Sequence, residues 1–145
     1  MSPDDFRPVV VQSRLAQMRE LLSDLERLGD DLSPEELEEN RFVRHVVHHV
    51  LTQLVQLAVA INSHVAATVS RRAVTDYRAS FDAAVGAGLI DEGLSTALKP
   101  SVGLRNVLVH EYVDVDHAVV AAALPEARRD YGRYVQSVAD WLGRR

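Results

Sequence analysis

The sequence contains no cysteine, which excludes disulfide bonds, thiolate zinc sites and catalysis by a cysteine nucleophile. Aromatic residues make up only 6% of the chain and Lys99 is its only lysine, so nearly all basic charge is carried by arginine. No uninterrupted apolar run approaches the ~20 residues of a membrane-spanning helix, and the acidic first residues lack the pattern of a signal peptide. We therefore expect a cytoplasmic protein with no membrane segment.

What the chain does contain is typical of one soluble domain. A length of 145 residues, with 47% hydrophobic and 26% charged residues, is sufficient for one hydrophobic core and leaves little room for a second. No internal repeat, low-complexity segment or linker divides the sequence. We expect residues 1–145 to form a single domain.

Apolar residues recur at three- and four-residue spacing along the first half of the chain, which indicates helices. The first helix is expected over residues 8–28. Ser33, followed by Pro34, starts a second helix that runs to about residue 69, with a candidate break at Asn40.

The second half of the chain continues the helical pattern. Further helices are expected from an Asp76 cap to about residue 84, from Asp91 to about residue 110, and from Asp116 to about residue 142. Proline and glycine are expected to bend or interrupt the last two of these, at Pro100, Gly103 and Pro125. The predicted class is all-α, a single up-and-down bundle of about four to six helices.

The segment from Arg105 to Tyr112 carries the most chemistry, in the order R-x-x-x-x-H-x-Y. Arginine is a permanent cation that suits phosphate, and histidine exchanges protons near neutral pH. Tyrosine offers a phenolic oxygen that can be hydrogen-bonded or chemically modified. These residue types together suit phosphodiester chemistry without a metal ion.

The spacing within this segment leaves its geometry open. Asn106 and His110 share one face of a regular helix, whereas Arg105 and His110 lie about 140° apart at about 100° per residue. Either the helix ends or distorts near His110, or a second subunit completes the site. A two-fold homodimer with two motifs side by side is one such arrangement.

The stretch from Gly103 to Tyr112 resembles the signature of HEPN-domain ribonuclease toxins of the HepT type, in which an arginine precedes His-x-Tyr by four to six residues. The similarity extends to Ile61-Asn62-Ser63-His64, to residues 77–81 and 88–90 ahead of the motif, and to Trp141-Leu142. It covers roughly residues 8–143.

This resemblance implies an HEPN-type bundle that acts as a metal-independent endoribonuclease and as the toxin of a toxin–antitoxin pair, without a cofactor. Arg105 and His110 would carry catalysis, and Asn106 would orient one of them. The antitoxin of such pairs is a nucleotidyltransferase that transfers AMP to the tyrosine matching Tyr112. The added phosphate and bulk would exclude RNA from the site.

Two alternatives belong to other classes of protein. The first is a non-catalytic HEPN module that binds a nucleotidyltransferase or a nucleotide, although such a module has no chemical need for both Arg105 and His110. The second is a helical adaptor, in which these two side chains need not be exposed in one cleft.

Other polar residues are weaker candidates. His45, His48 and His49 have helical spacing but no accompanying H-E-x-x-H carboxylate, so a surface or interface role is favoured over metal binding. A second set is a weak candidate for RNA or antitoxin contact, with a solvated helix face favoured: Arg71, Arg72, Arg128 and Arg129. His64, Tyr131, Tyr134 and Trp141 are expected in or near the core.

Charge is unevenly distributed along the chain, whose net charge is −5. Residues 1–40 carry eleven acidic residues against four arginines. This acidic end is distant in sequence from the motif at 105–112, and RNA is therefore expected to reach the motif without meeting it.

Overall fold

Six α-helices and no β-strand make up the secondary structure of residues 5–29, 31–111 and 114–145, which are the residues that the computed structural model describes. The all-α prediction is confirmed, with the number of helices at the upper end of the expected range. In chain order the helices are α1 (Pro8–Leu28), α2 (Pro34–Glu39), α3 (Arg41–Thr68), α4 (Tyr77–Gly86), α5 (Glu92–His110) and α6 (His117–Gly143).

Helix α3 forms the centre of the bundle and contacts each of the other five helices. By length and composition it is the one helix of the described residues that could cross a membrane, with a mean hydropathy of 1.4, but 56% of that stretch is buried inside the bundle. A helix that is apolar on several faces and surrounded by other helices is typical of a protein core.

Polar side chains cap the first turns of five helices, where four backbone N–H groups lack a helical partner. Asn40 both ends α2 and caps α3, which confirms the break at this residue. In each cap a side-chain oxygen accepts a backbone N–H two or three residues further on, and the capping residues are Ser33, Asn40, Asp76, Asp91 and Asp116.

The two internal prolines do not divide their helices. Helix α5 runs continuously through Pro100 and Gly103, and α6 runs through Pro125. Both prolines are exposed, so water can reach the helix where a backbone hydrogen bond is lost. The neighbouring residues Leu98 and Leu124 are buried and hold each helix against the core.

Aromatic side chains of α6 occupy the middle of the core. Tyr131, Tyr134 and Trp141 are buried, as predicted, and the Tyr134 ring packs edge-on against Phe81 with 6.5 Å between centroids. Burial raises the pKa of Tyr131 and of Tyr134, so both phenols remain neutral.

Candidate active site

The motif predicted from the sequence occupies the last turns of α5. The helix continues through His110 and ends at Glu111, whose N–H donates to the carbonyl of Val107 over 2.8 Å. Buried Leu108 anchors this end of the helix to the core. Tyr112, the predicted AMP acceptor, lies outside the described residues.

The Arg105 guanidinium is held by two neighbours. The guanidinium carbon Cζ lies 4.9 Å from the centroid of the Tyr77 ring. This is a cation–π contact between α5 and the first residue of α4. The Arg105 Nη1 donates to the Asn106 Oδ1 over 3.2 Å. The Arg105 Nε is buried and makes no hydrogen bond to a described residue, so this cation keeps one unsatisfied donor.

A buried hydrogen-bond network fixes the residue beneath Arg105. The Tyr134 hydroxyl donates to Asn62 Oδ1 over 2.7 Å, and Asn62 Nδ2 donates to Ser80 Oγ over 3.3 Å. The Ser80 hydroxyl in turn donates to the Tyr77 carbonyl over 2.7 Å. The position of the Tyr77 backbone is therefore tied through α3 to α6.

His110 is exposed at the end of α5, beside Val109, which is 39% exposed. Within the part of the chain that the structure describes, its imidazole makes no hydrogen bond or ion pair, and it does not contact Arg105. Asn106 lies on the same helical face as His110 because the two are four residues apart. The Arg105–Asn106 hydrogen bond therefore draws the guanidinium toward the histidine face.

Two grooves border Arg105. The first, which we call the α4–α5 groove, has a volume of about 510 Å³ and is lined by Asp76, Tyr77, Arg78, Val102, Arg105 and Asn106. The second, the α5–α6 groove, has a volume of about 330 Å³ and mainly apolar walls that include Leu104, Val119, Ala123 and Tyr131. Arg105 thus faces a polar groove on one side and an apolar one on the other.

The histidines of α3 are not gathered into a metal site. Within residues 5–29, 31–111 and 114–145, no three His, Cys, Asp or Glu side chains are arranged to hold a metal ion. His45 and His49 are exposed, whereas His48 is half-buried. Burial lowers the pKa of His48, and the nearby charges of His117, Arg44 and His45 lower it further.

The acidic helix α2 lies against the start of α6. Helix α2 packs against α6, and Glu38 Oε2 lies 2.7 Å from His117 Nε2 at the first residue of α6. A third groove joins residues of α2 to Val115 and Asp116. Helix α2 makes no contact with the described residues of α5, which carries the motif, so the expectation that this charge lies away from the motif stays a prediction.

The four weaker arginine candidates lie in two separate places. Arg71 and Arg72 are exposed in the segment between α3 and α4. Arg128 and Arg129 lie on α6 beside Glu26 of α1, and α1 makes no contact with α4. Arg129 Nε donates a hydrogen bond to Asp130 Oδ1, and this bond raises the pKa of Arg129.

The side-chain contacts of His64 are with residues that precede α1, and they indicate a structural role. Its Nε2 accepts the Arg7 N–H over 3.2 Å, and its ring packs against Phe6 with 5.5 Å between centroids. Burial lowers its pKa, and the charges of Arg7 and Arg14 lower it further. These contacts join α3 to the segment that precedes α1.

Sequence reasoning assigned no role to Tyr77, Arg78 or Gly103 beyond their family resemblance. Tyr77 and Arg78 precede Arg105 by 28 and 27 residues, and only the pairing of α4 with α5 brings them to it. The available signal was Gly103, because a glycine inside a helix often marks the close approach of another group.

The described residues form an all-α bundle of six helices, with Arg105 and His110 in the last turns of α5. The fold is similar to a solved structure of the tri-AMPylated HEPN toxin of Shewanella oneidensis in complex with MNT antitoxin. The TM-score is 0.80 at 20% identity, with 90% of this chain and 97% of that chain covered. A second similar structure is a toxin–antitoxin with AMP-PNP, with a TM-score of 0.77 at 19% identity, covering 89% and 97% of the two chains.

Sequence comparison identifies the family more narrowly. The model of the family described as ribonuclease HepT-like matches residues 18–138. The tRNA nuclease HepT of Aphanizomenon flos-aquae is 30% identical over 140 residues, which are 95% of this chain and 93% of that protein. This chain therefore belongs to the HepT-like ribonuclease family, which confirms the resemblance seen in the sequence.

Proposed function

We propose that this protein is a metal-independent endoribonuclease that acts in the cytoplasm as the toxin of a toxin–antitoxin pair. The observation that carries the proposal is the end of α5, where Arg105 lines an open groove without an acidic partner among the described residues, while His110 is exposed. Family membership makes RNA the substrate class. The name of the cyanobacterial relative makes tRNA the first RNA to test.

The chemistry assigned to these residues needs no metal ion. An imidazole of His110 accepts the proton of a ribose 2′-hydroxyl, whose oxygen then bonds to the adjacent phosphorus. The bond from phosphorus to the 5′-oxygen breaks, and an imidazolium supplies a proton to that leaving oxygen. Arg105 binds the phosphate and stabilises the charge that builds on its oxygens. The products are a 2′,3′-cyclic phosphate and a 5′-hydroxyl.

Cleavage of tRNA by two single-histidine variants tests the proposal. We expect His110→Ala to reduce the cleavage rate by about 10²–10⁴-fold, the usual contribution of a positioned acid or base. The matched control is His49→Ala, which removes another exposed imidazole and should cleave normally. Full activity of the His110→Ala variant would refute the assigned role. Absence of cleavage by the unmodified chain would favour a non-catalytic binding module.

We also propose that the protein works as a homodimer in which each active site combines two subunits. Support comes from the regular helix through His110, which leaves Arg105 and His110 about 140° apart around one axis. Further support comes from the mainly apolar α5–α6 groove, where Val119 is 53% exposed beside the site. A second copy could cover this surface and supply the missing catalytic group.

Subunit mixing tests this assembly. Arg105→Ala and His110→Ala are each expected to be inactive alone. If one site takes Arg105 from one subunit and His110 from the other, a mixed dimer of the two variants retains one intact site. An equal mixture should then recover about a quarter of the unmodified activity. No recovery from a mixture that demonstrably exchanges subunits would place both residues of a site in one chain.

Neutralisation is proposed to occur by transfer of AMP from a nucleotidyltransferase antitoxin to Tyr112. Support comes from the similar solved structure, which is a tri-AMPylated toxin with MNT antitoxin. In this sequence Tyr112 follows His110 by two residues. A phosphodiester on that phenol would add negative charge and bulk beside the site and repel RNA.

Intact mass measurement tests the modification. The chain is expressed alone and together with the neighbouring nucleotidyltransferase, and we expect added AMP increments only in the second case, located by peptide mapping at Tyr112. The Tyr112→Phe variant should remain unmodified and toxic under co-expression. If the antitoxin fully neutralises that variant, inhibition acts by binding alone.

A further inference from the structure

Arg78 places a second guanidinium in the α4–α5 groove, beside that of Arg105. It lies against α5 at Gly103, where an added Cβ would be 3.3 Å from the Arg78 Nη2. That separation is shorter than most contacts a Cβ makes, so the missing side chain of Gly103 is what admits the guanidinium. Gly103 precedes Arg105 by two residues, and both arginines therefore border one short stretch of α5.

Neither cation has an acidic partner. Among the described residues, the Arg78 side chain makes no hydrogen bond or ion pair. The Arg105 guanidinium contacts only the Asn106 amide and the Tyr77 ring. Asp76 is the one acidic residue of the groove, and its Oδ1 caps α4 by accepting the Ala79 N–H over 2.7 Å.

Two cations share this groove with one carboxylate, that of Asp76, among the described residues that line it. Arginine stays charged at every physiological pH, so the two side chains repel each other whenever the groove holds only water. A polyanion that contacts both would remove this repulsion, and its phosphates match the donor geometry of guanidinium groups. Helix α4 is fixed through the hydrogen bonds of Ser80 and Asn62, so the backbone that carries Arg78 is rigid.

We propose that Arg78 binds a second phosphate of the RNA strand, next to the phosphate bound by Arg105, and that Gly103 gives the Arg78 guanidinium room against α5. This inference rests on the proposed ribonuclease function, because it takes the polyanion to be RNA. Arg78 would contribute to ground-state binding and to strand register, whereas Arg105 and His110 act on the reacting atoms.

The test measures RNA affinity against salt concentration in the His110→Ala background, where the RNA stays intact. Loss of one phosphate contact should reduce the slope of log K against log salt by about 1. We therefore expect Arg78→Gln to lower the slope by that amount and to weaken binding about tenfold at low salt. Arg78→Lys, which keeps the charge, should retain the slope.

The matched control is Arg19→Gln, because Arg19 is exposed on α1, which contacts neither α4 nor α5. This variant should leave both slope and affinity unchanged. In the His110-intact protein, Arg78→Gln should raise KM about tenfold and change kcat little. A slope for Arg78→Gln equal to that of the unsubstituted background would overturn the proposal.

Gly103→Ala gives an independent readout. Its Cβ forces the Arg78 guanidinium to shift by a few tenths of an ångström, so RNA affinity should fall a few-fold. Alanine also favours the helix more than glycine does, so Tm should rise. If Gly103 had only a structural role, Gly103→Ala would lower both RNA affinity and Tm, or would lower neither of them. Either result would contradict the proposal.

The outcomes separate this proposal from the ribonuclease function. If RNA binding depends on Arg78 but the protein never cleaves RNA, the proposed phosphate site stands and the proposed ribonuclease function is refuted. Cleavage with an unchanged salt slope in Arg78→Gln would refute the phosphate site alone. Absence of any RNA binding would overturn both.

Discussion

Arg105 depends on a residue that the motif does not contain. The Tyr77 ring lies beneath its guanidinium at 4.9 Å, and the buried network of Tyr134, Asn62 and Ser80 holds the Tyr77 backbone. A long flexible side chain loses much rotamer freedom when it is fixed on such a surface. Tyr77 is therefore a positioning residue, which acts on the reaction through Arg105.

Replacing the ring tests this role. A cation–π contact contributes ~0.5–2 kcal/mol, so Tyr77→Leu should lower kcat about tenfold, whereas Tyr77→Phe keeps the aromatic face and should retain activity. Arg105→Ala is itself inactive, so RNA affinity is the readout in that background: Tyr77→Leu should weaken RNA binding when Arg105 is present and should have no further effect on it in the Arg105→Ala variant. An equal loss in both backgrounds would show that Tyr77 acts on folding rather than through Arg105.

At the residue scale, the sequence could indicate Arg105, Asn106 and His110 because they lie within one short segment. It could not indicate Tyr77 and Arg78, since their place beside Arg105 depends on how α4 packs against α5. Local spacing determines which side chains share a helical face. Contacts between helices depend on packing, which spacing does not reveal.

The helices themselves were largely predictable because their ends carry local signals. Asp91 and Asp116 begin α5 and α6 by accepting the N–H of Leu94 and Ala118, as capping residues do. The expected effect of proline was less accurate. Neither Pro100 nor Pro125 interrupts its helix, because packing of the neighbouring apolar residues outweighs one missing hydrogen bond.

The link between α3 and α6 can be tested by removing one hydroxyl. Tyr134→Phe leaves the buried Asn62 Oδ1 without the donor that now lies 2.7 Å away, so we expect unfolding to become easier by ~1–3 kcal/mol. The matched control is Tyr131→Phe, since its partner Ser101 also hydrogen-bonds the Leu98 carbonyl. In a urea unfolding experiment, Tyr131→Phe should lower the free energy of unfolding by less than Tyr134→Phe does. Equal losses of unfolding free energy in the two variants would show that the Asn62 network adds no stability of its own.

At the scale of the whole molecule, packing around α3 brings together helices that are far apart in the sequence. Helix α2 and its four glutamates come to lie against α6, although His117, the first residue of α6, follows Glu39 by 78 residues in the sequence. Residues distant in sequence become neighbours because five helices share one central partner.

Stability should depend on pH through two half-buried histidines. Burial is the main cause that lowers the pKa of His48 and of His64 in the folded state, whereas both have a pKa of about 6.5 when unfolded. The unfolded chain therefore binds more protons below this pH. The free energy of unfolding should fall as the pH decreases from about 6.5 toward the folded-state pKa values.

Urea unfolding between pH 7.5 and 5 measures this dependence. Replacing His48 and His64 together by glutamine should flatten the curve in that window. The control is His49→Gln, since this side chain is exposed and is not among the groups that lower the pKa of His48, and it should leave the curve unchanged. A pH dependence that survives the loss of His48 and His64 would assign it to other groups.

Metal-free use of the ribose hydroxyl is tested most directly by one cleavage experiment. The purified chain is incubated in excess chelator with an RNA strand and with the DNA strand of the same sequence, which lacks the 2′-hydroxyl. We expect the RNA to be cut at an undiminished rate, with 2′,3′-cyclic phosphate ends, and the DNA to remain intact. Loss of RNA cleavage in chelator, or equal cleavage of the DNA, would contradict the roles assigned to Arg105 and His110.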